Sequence, residues 1–160
     1  MGVTARNFFT QEQQEDIRLA IMHAELDTSS EIRVHIEMTC EGDPVERGWK
    51  IFQKLDMHKT EQRNGILFYL AVENRKFAVL GDEGIHKKVP DDFWEKLKRS
   101  MLIYFSEGQF AEGLIDAITK VGLHLKKYFP QYQGNTNELP DDISFGEEKE
   151  IITTNQTWHE

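Results

Sequence analysis

Apolar positions recur along this chain in two rhythms that divide it into elements. Ile17, Ala20, Ile21 and Ala24 follow helical spacing, and Thr10 with Gln13 ahead of them has the spacing of a capping box. From Glu31 to Met38 the rhythm changes to strict alternation. Ile32, Val34, Ile36 and Met38 fall on one side, and Glu31, Arg33, His35 and Glu37 on the other. This predicts a strand with one polar face, near a sheet edge. Asp43-Pro44 then opens a second helix, whose buried face is assigned to Val45, Trp49, Phe52 and Leu55. Ile66 to Val72 is apolar on both faces, as in a central strand covered on both sides. The polar turn Glu73-Asn74-Arg75 returns it into Lys76 to Leu80, making a hairpin. Two more helical runs follow. One starts at Pro90-Asp91-Asp92, and the other spans about Gln109 to Tyr128.

The order is therefore α-β-α-β-β-α-α. A right-handed βαβ crossover joins the first two strands, and the third runs antiparallel to the second. Helices on both faces make this an α/β fold, a three-layer α/β/α sandwich with a Rossmann-like mixed sheet. The folded domain is placed at residues 8–130. Residues 131–160 are polar and nearly without periodicity, and are read as a mostly disordered acidic tail. Ile143, Phe145, Ile151, Ile152 and Trp158 are its exceptions, suited to docking on the domain or on a protein partner.

Charge sharpens this division. The 160 residues carry Lys+Arg 19 against Asp+Glu 28, a net charge of -9. Much of the excess lies in the tail, where Glu138, Asp141, Asp142, Glu147, Glu148, Glu150 and Glu160 face only Lys149. Nothing resembles the basic stripe that nucleic acid or an anionic membrane requires. The single cysteine, Cys40, permits no internal disulfide, and the N-terminus lacks a signal-peptide core. These features fit a cytoplasmic monomer without a membrane anchor.

Four features together resemble the TPM domain family. They are the element order, the Thr60…Arg63-Asn64-Gly65-Ile66-Leu67 entry to the central strand, the Gly81-Asp82-Glu83-Gly84-Ile85 loop, and Phe105-x-x-Gly108-x-Phe110-x-x-Gly113-Leu114. The resemblance covers roughly residues 8–130. It implies a Rossmann-like sandwich. In that family some members are acid phosphatases of the thylakoid lumen, others are membrane-anchored accessory proteins, and small stand-alone bacterial members bind divalent cations such as calcium.

The candidate chemistry lies at Gly81-Asp82-Glu83-Gly84. Two adjacent carboxylates between glycines, anchored by a strand end, suit a hard cation that prefers oxygen ligands. The hairpin brings the end of the third strand to the start of the first two, near Ser29, Ser30 and Asn64. Asn64 adds a side-chain carbonyl, and Asp91 is a further candidate ligand. The predicted metal site is thus Asp82, Glu83, Asn64 and Asp91, holding Ca²⁺ or Mg²⁺ at low affinity in a regulatory or accessory role. It does not match the twelve-residue EF-hand pattern. The alternatives are a metal-dependent phosphatase acting on phosphomonoesters, which rests on the family alone, and a protein-interaction module working through the tail. No P-loop, GxGxxG or GxSxG motif is present. Glu37, Glu41 and Asp43 form a second acidic patch; Asp43 is read as a helix cap and Glu37 as exposed.

Overall fold

A computed structural model describes residues 2–131 and 143–146. The elements are α1 (Gln11–Leu26), β1 (Ile32–Glu37), α2 (Pro44–Lys54), a 3₁₀ turn (Met57–Lys59), β2 (Ile66–Ala71), β3 (Lys76–Gly81), α3 (Glu83–His86), α4 (Phe93–Ser106), α5 (Phe110–Tyr128) and β4 (Ile143–Phe145). The caps follow local chemistry. Thr10 and Gln13 close a reciprocal capping box on α1, and the Asp43 carboxylate accepts from Val45 N–H with Pro44 in the first helical position.

The sheet order is β3-β2-β1-β4. β1 runs parallel to β2, with Ile32 opposite Ile66 and Glu37 opposite Ala71. β3 returns antiparallel, placing Gly81 opposite Ile66. Side-chain alternation then builds two cores. Ile32, Val34, Ile36, Ile66, Phe68, Leu70, Phe77 and Val79 pack toward α1, α4 and α5. Leu67, Tyr69, Ala71, Ala78 and Leu80 pack against Ile51 and Phe52 of α2. This is the three-layer sandwich read from the sequence.

Two expectations are corrected, those for β1 and Trp49. β1 is not a half-exposed strand near the edge: it lies between β2 and β4, and Arg33, His35 and Glu37 are buried. Its polar residues lie under neighbouring elements and bond there instead of to water. Within the described part of the tail, Ile143–Phe145 forms a strand parallel to β1, so this stretch belongs to the fold. Ile151, Ile152 and Trp158 lie outside the described residues. Trp49 is 37% exposed, because Ile51 and Phe52 face the sheet while Trp49 edges against Phe52 at the rim.

The Phe105 to Leu114 segment is the turn between α4 and α5. Gly108 takes φ +76°, the left-handed conformation that ends α4, and its N–H donates to Phe105 O. Elsewhere on the helical layer, α1 and α5 approach closely. A Cβ on Gly122 would stand 2.9 Å from Ala24 Cβ and 3.3 Å from its Cα. Gly122→Val is expected to cost about 2 kcal/mol by forcing the helices apart, read as a lower urea midpoint at unchanged m.

Candidate functional site

Two motifs far apart in sequence meet at one corner of the sheet. The segment entering β2 turns at Thr60, where Arg63 N–H donates to Thr60 O and Asn64 N–H to Thr60 Oγ1 at 3.1 Å. Arg63 takes φ 51° in this turn. β3 ends beside it: Asp82 N–H donates to Gly65 O at 3.0 Å, and Gly84 N–H to Arg63 O at 2.9 Å. Thr60–Gly65 and Gly81–Gly84 are therefore stitched together through backbone groups.

The side chains follow from that stitching. Asp82 is buried and is met by the Arg63 guanidinium in a two-pronged pair, Nε to Oδ2 at 2.7 Å and Nη2 to Oδ1 at 2.9 Å. Asp82 Oδ1 also accepts from Glu83 N–H at 2.8 Å, so the residue read as part of a loop caps the four-residue helix α3. Glu83 is exposed and stands 3.4 Å from Arg63 Nη1. The Asp82 hydrogen bond raises the Arg63 pKa.

Behind this pair lies a patch of buried oxygens. Ser29 Oγ accepts from Gln62 Nε2 at 3.0 Å and from Asn64 Nδ2 at 3.1 Å. Asn64 Oδ1 and Ser30 Oγ are buried and have no hydrogen-bond partner among the described residues. Ser30 and Asn64 each stand two positions ahead of the paired Ile32 and Ile66, at the start of adjacent parallel strands. Two unsatisfied buried oxygens at one strand end are unusual, since nearly all such groups in folded proteins find partners.

The structure thus gathers Asn64, Asp82 and, at the rim, Glu83. Asp91 is exposed in the turn before α4 and shares no bond with this corner among the described residues. Among the described residues no group of three or more His, Cys, Asp or Glu side chains is arranged to hold a metal ion. Any cation here would rely on neutral oxygens as much as on carboxylates. From the sequence Arg63 could hold phosphate and is equally an ordinary surface charge; its position one residue before Asn64-Gly65 is the available signal.

A second polar cluster sits at the other end of β1. Glu37, read as exposed, is buried. Arg47 grips it with Nε to Oε2 at 2.8 Å and Nη2 to Oε1 at 2.9 Å. The Tyr69 hydroxyl donates to Oε2, and His35 Nε2 stands 3.6 Å from Oε1. Burial alone would raise the Glu37 pKa, but the hydrogen bonds from Arg47 and Tyr69, with His35 close by, outweigh it and hold it at about 2. Burial and the adjacent Glu37 charge push the Tyr69 hydroxyl well above its ordinary value.

The family model for the TPM domain matches residues 3–123. This chain belongs to the TPM domain family. The NMR structure of the BA42 protein from Bizionia argentinensis is 44% identical, covers 87% of this chain and 96% of its own, and superposes with a TM-score of 0.80. The N-terminal domain of cg2496 from Corynebacterium glutamicum shares the fold at 14% identity and TM-score 0.59, covering 96% of this chain and 86% of its own. An N-terminal domain from P. gingivalis does so at 18% identity and TM-score 0.61, covering 76% and 78%. No curated protein matches the chain. The two TPM segments Thr60–Leu67 and Gly81–Ile85 form the corner described above. β4 lies beyond the residues that the family model matches. Among the described residues no helix is long and apolar enough to cross a membrane.

Proposed function

We propose that this TPM-domain protein binds a hard divalent cation, Ca²⁺ or Mg²⁺, weakly at the corner of Ser30, Asn64, Asp82 and Glu83, in a regulatory or accessory role. The observation that carries the reading is the pair of buried, unpartnered oxygens, Asn64 Oδ1 and Ser30 Oγ, at a strand end whose backbone is bonded to that of the buried Asp82. Hard cations take carboxylate, amide carbonyl and water oxygens together, which is the donor set available here. Low affinity follows from Arg63. Its guanidinium already occupies both Asp82 oxygens, so an incoming ion must displace it or share the carboxylate against its charge. Arg63 is 44% exposed at its side chain, which leaves room for it to swing outward.

Amide shifts followed by NMR during Ca²⁺ and Mg²⁺ titration test this. Saturable shifts at residues 64 and 81–84 are expected with a Kd of about 1 mM, in the range of weak extracellular calcium modules. Ser30→Ala separates binding from folding. An unpartnered buried hydroxyl contributes nothing to stability, so its loss should leave the urea midpoint unchanged or higher while weakening the cation several-fold. Arg63→Gln should tighten binding. Immobile amides at 64 and 81–84 up to about 10 mM cation would sink the proposal.

A further inference from the structure

A cleft of about 830 Å³ opens on the α2 side of β1 and β4, a size ordinary for a small-ligand site. α2 packs over β2 and β3, so this half of the sheet face has no helix of its own. β1 and β4 run parallel, with His35 opposite Ser144, and the cleft reaches the carboxyl ends of both strands. In open α/β sheets ligands bind in the crevice at those ends. His35, Glu37 and Ser144 line the strand side, and α2 forms the other wall. His35 is 5% exposed; its Nδ1 bonds Ser144 Oγ at 2.8 Å, and its Nε2 has no hydrogen-bond partner among the described residues. A strand side this polar suits a hydrogen-bonding ligand more than a hydrocarbon one.

The α2 wall carries charge in two blocks. Glu41, Asp43 and Glu46 line the end of the cleft where α2 begins, and Lys50 and Lys54 line it further along the helix. α2 is the crossover between the parallel strands β1 and β2 and so runs back along them. The acidic block therefore sits at the carboxyl end of β1 and the basic block toward its amino end. Arg47 is committed to Glu37, and Asp43 caps α2 through Val45 N–H. Glu41, Glu46, Lys50 and Lys54 are exposed and form no ion pair among the described residues. Glu46 and Lys50 stand at i and i+4 with the acid first, the spacing that favours an ion pair within a helix. Asp92 with Lys96, Glu95 with Arg99 and Asp116 with Lys120 close such a pair at the same spacing. Glu46 and Lys50 do not, which leaves both charges open to the cleft.

A ligand that answers both blocks carries opposite charges at its two ends. Along α2, Lys50 and Lys54 lie about 6 and about 12 Å from Glu46. A single amino acid separates its charges by roughly 3.5 Å, too little to reach both blocks, whereas three extended residues span about 10 Å. We propose that the cleft binds a short peptide of about three residues with both ends free, its ammonium group at Glu41 and Glu46 and its carboxylate at Lys50 and Lys54. The peptide backbone lies over His35 and Ser144. Exposed ion pairs are individually weak, so the Kd is about 1 mM.

The test titrates the full-length protein with trialanine at low salt, with divalent cations removed by chelation, and follows amide shifts by NMR. Saturable shifts are expected at His35, Glu46, Lys50, Lys54 and Ser144, while residues 64 and 81–84 stay still, which keeps this cleft distinct from the cation corner. N-acetyl-trialanine and trialanine amide each lack one charged end and should bind about fivefold more weakly. Glu41→Gln with Glu46→Gln should abolish the preference for a free amino end and leave the preference for a free carboxylate. Lys50→Gln with Lys54→Gln should do the reverse. All four residues are exposed, so the fold should tolerate both double variants. Absence of shifts up to about 20 mM trialanine, or equal binding of the three peptides, overturns the proposal. Inorganic phosphate that binds more tightly than trialanine, with N-acetyl-trialanine binding as well as trialanine, also overturns it and marks the lysines as an anion site only.

Discussion

Glu37→Ala is expected to lower the unfolding free energy by about 3–4 kcal/mol, measured by urea denaturation at neutral pH. The carboxylate is the hub of its cluster, accepting from Arg47 twice and from Tyr69 once while buried. Its removal leaves the Tyr69 hydroxyl buried without an acceptor, and that unmet desolvation accounts for much of the cost. Arg47 is 43% exposed at its side chain and recovers by turning to water, which keeps the loss below that of a fully buried pair. The same group gives an acid limb to stability. Its folded pKa of about 2 lies below the ordinary 4.5, so its contribution is complete above about pH 4.5 and is lost as the pH falls toward 2. The full difference corresponds to about 3 kcal/mol. Glu37→Gln should flatten that limb between pH 4.5 and 2, and Tyr69→Phe should shift it toward higher pH. An unchanged acid limb in Glu37→Gln would show that other carboxylates carry it.

What the sequence made legible was local. Thr10 with Gln13 and Asp43 with Pro44 announce helix starts because a cap is satisfied within a few residues. The apolar run Ile66 to Val72 announces a central strand because both faces must be dry. The meeting of Asp82 with Asn64 was also legible, since a hairpin must return the end of β3 to the start of β2. What was hidden depends on partners distant in the chain. Glu37 looked solvated because its acceptors are satisfied from α2 and β2, and alternation cannot distinguish a polar face in water from one that is internally paired. β4 was hidden because a three-residue strand carries no period of its own, and only the waiting edge of β1 makes Ile143-Ser144-Phe145 a strand. Likewise Gly81-Asp82-Glu83-Gly84 reads as an open acidic loop until Arg63 is seen to pair with Asp82.

Gly84→Ala is the second substitution expected to have a large effect, about 3 kcal/mol of stability together with loss of the candidate cation site. The reason is a close approach, since Gly84 does not need a positive φ. A Cβ there would stand 2.2 Å from Gln62 O and 2.6 Å from Arg63 O. Both atoms are backbone, held in the Thr60 turn, and cannot rotate aside as a side chain would. The two strands of the corner must therefore separate, breaking the hydrogen bond from Gly84 N–H to Arg63 O and the two-pronged pair of Arg63 with Asp82. Asn64 and Ser30 would then lose their fixed position at the strand end. Gly42→Ala is the matching control, because nothing lies within 4 Å of a Cβ at that position; it should change stability by less than about 0.5 kcal/mol. The decisive measurement pairs the urea midpoints of the two variants with their cation-induced amide shifts. Gly84→Ala should lose both stability and the shifts at residues 64 and 81–84, and Gly42→Ala should keep both. If Gly84→Ala were as stable as Gly42→Ala, the Thr60 turn would have to be free to move, and a corner that loose could not hold Asn64 Oδ1 and Asp82 in position for a cation.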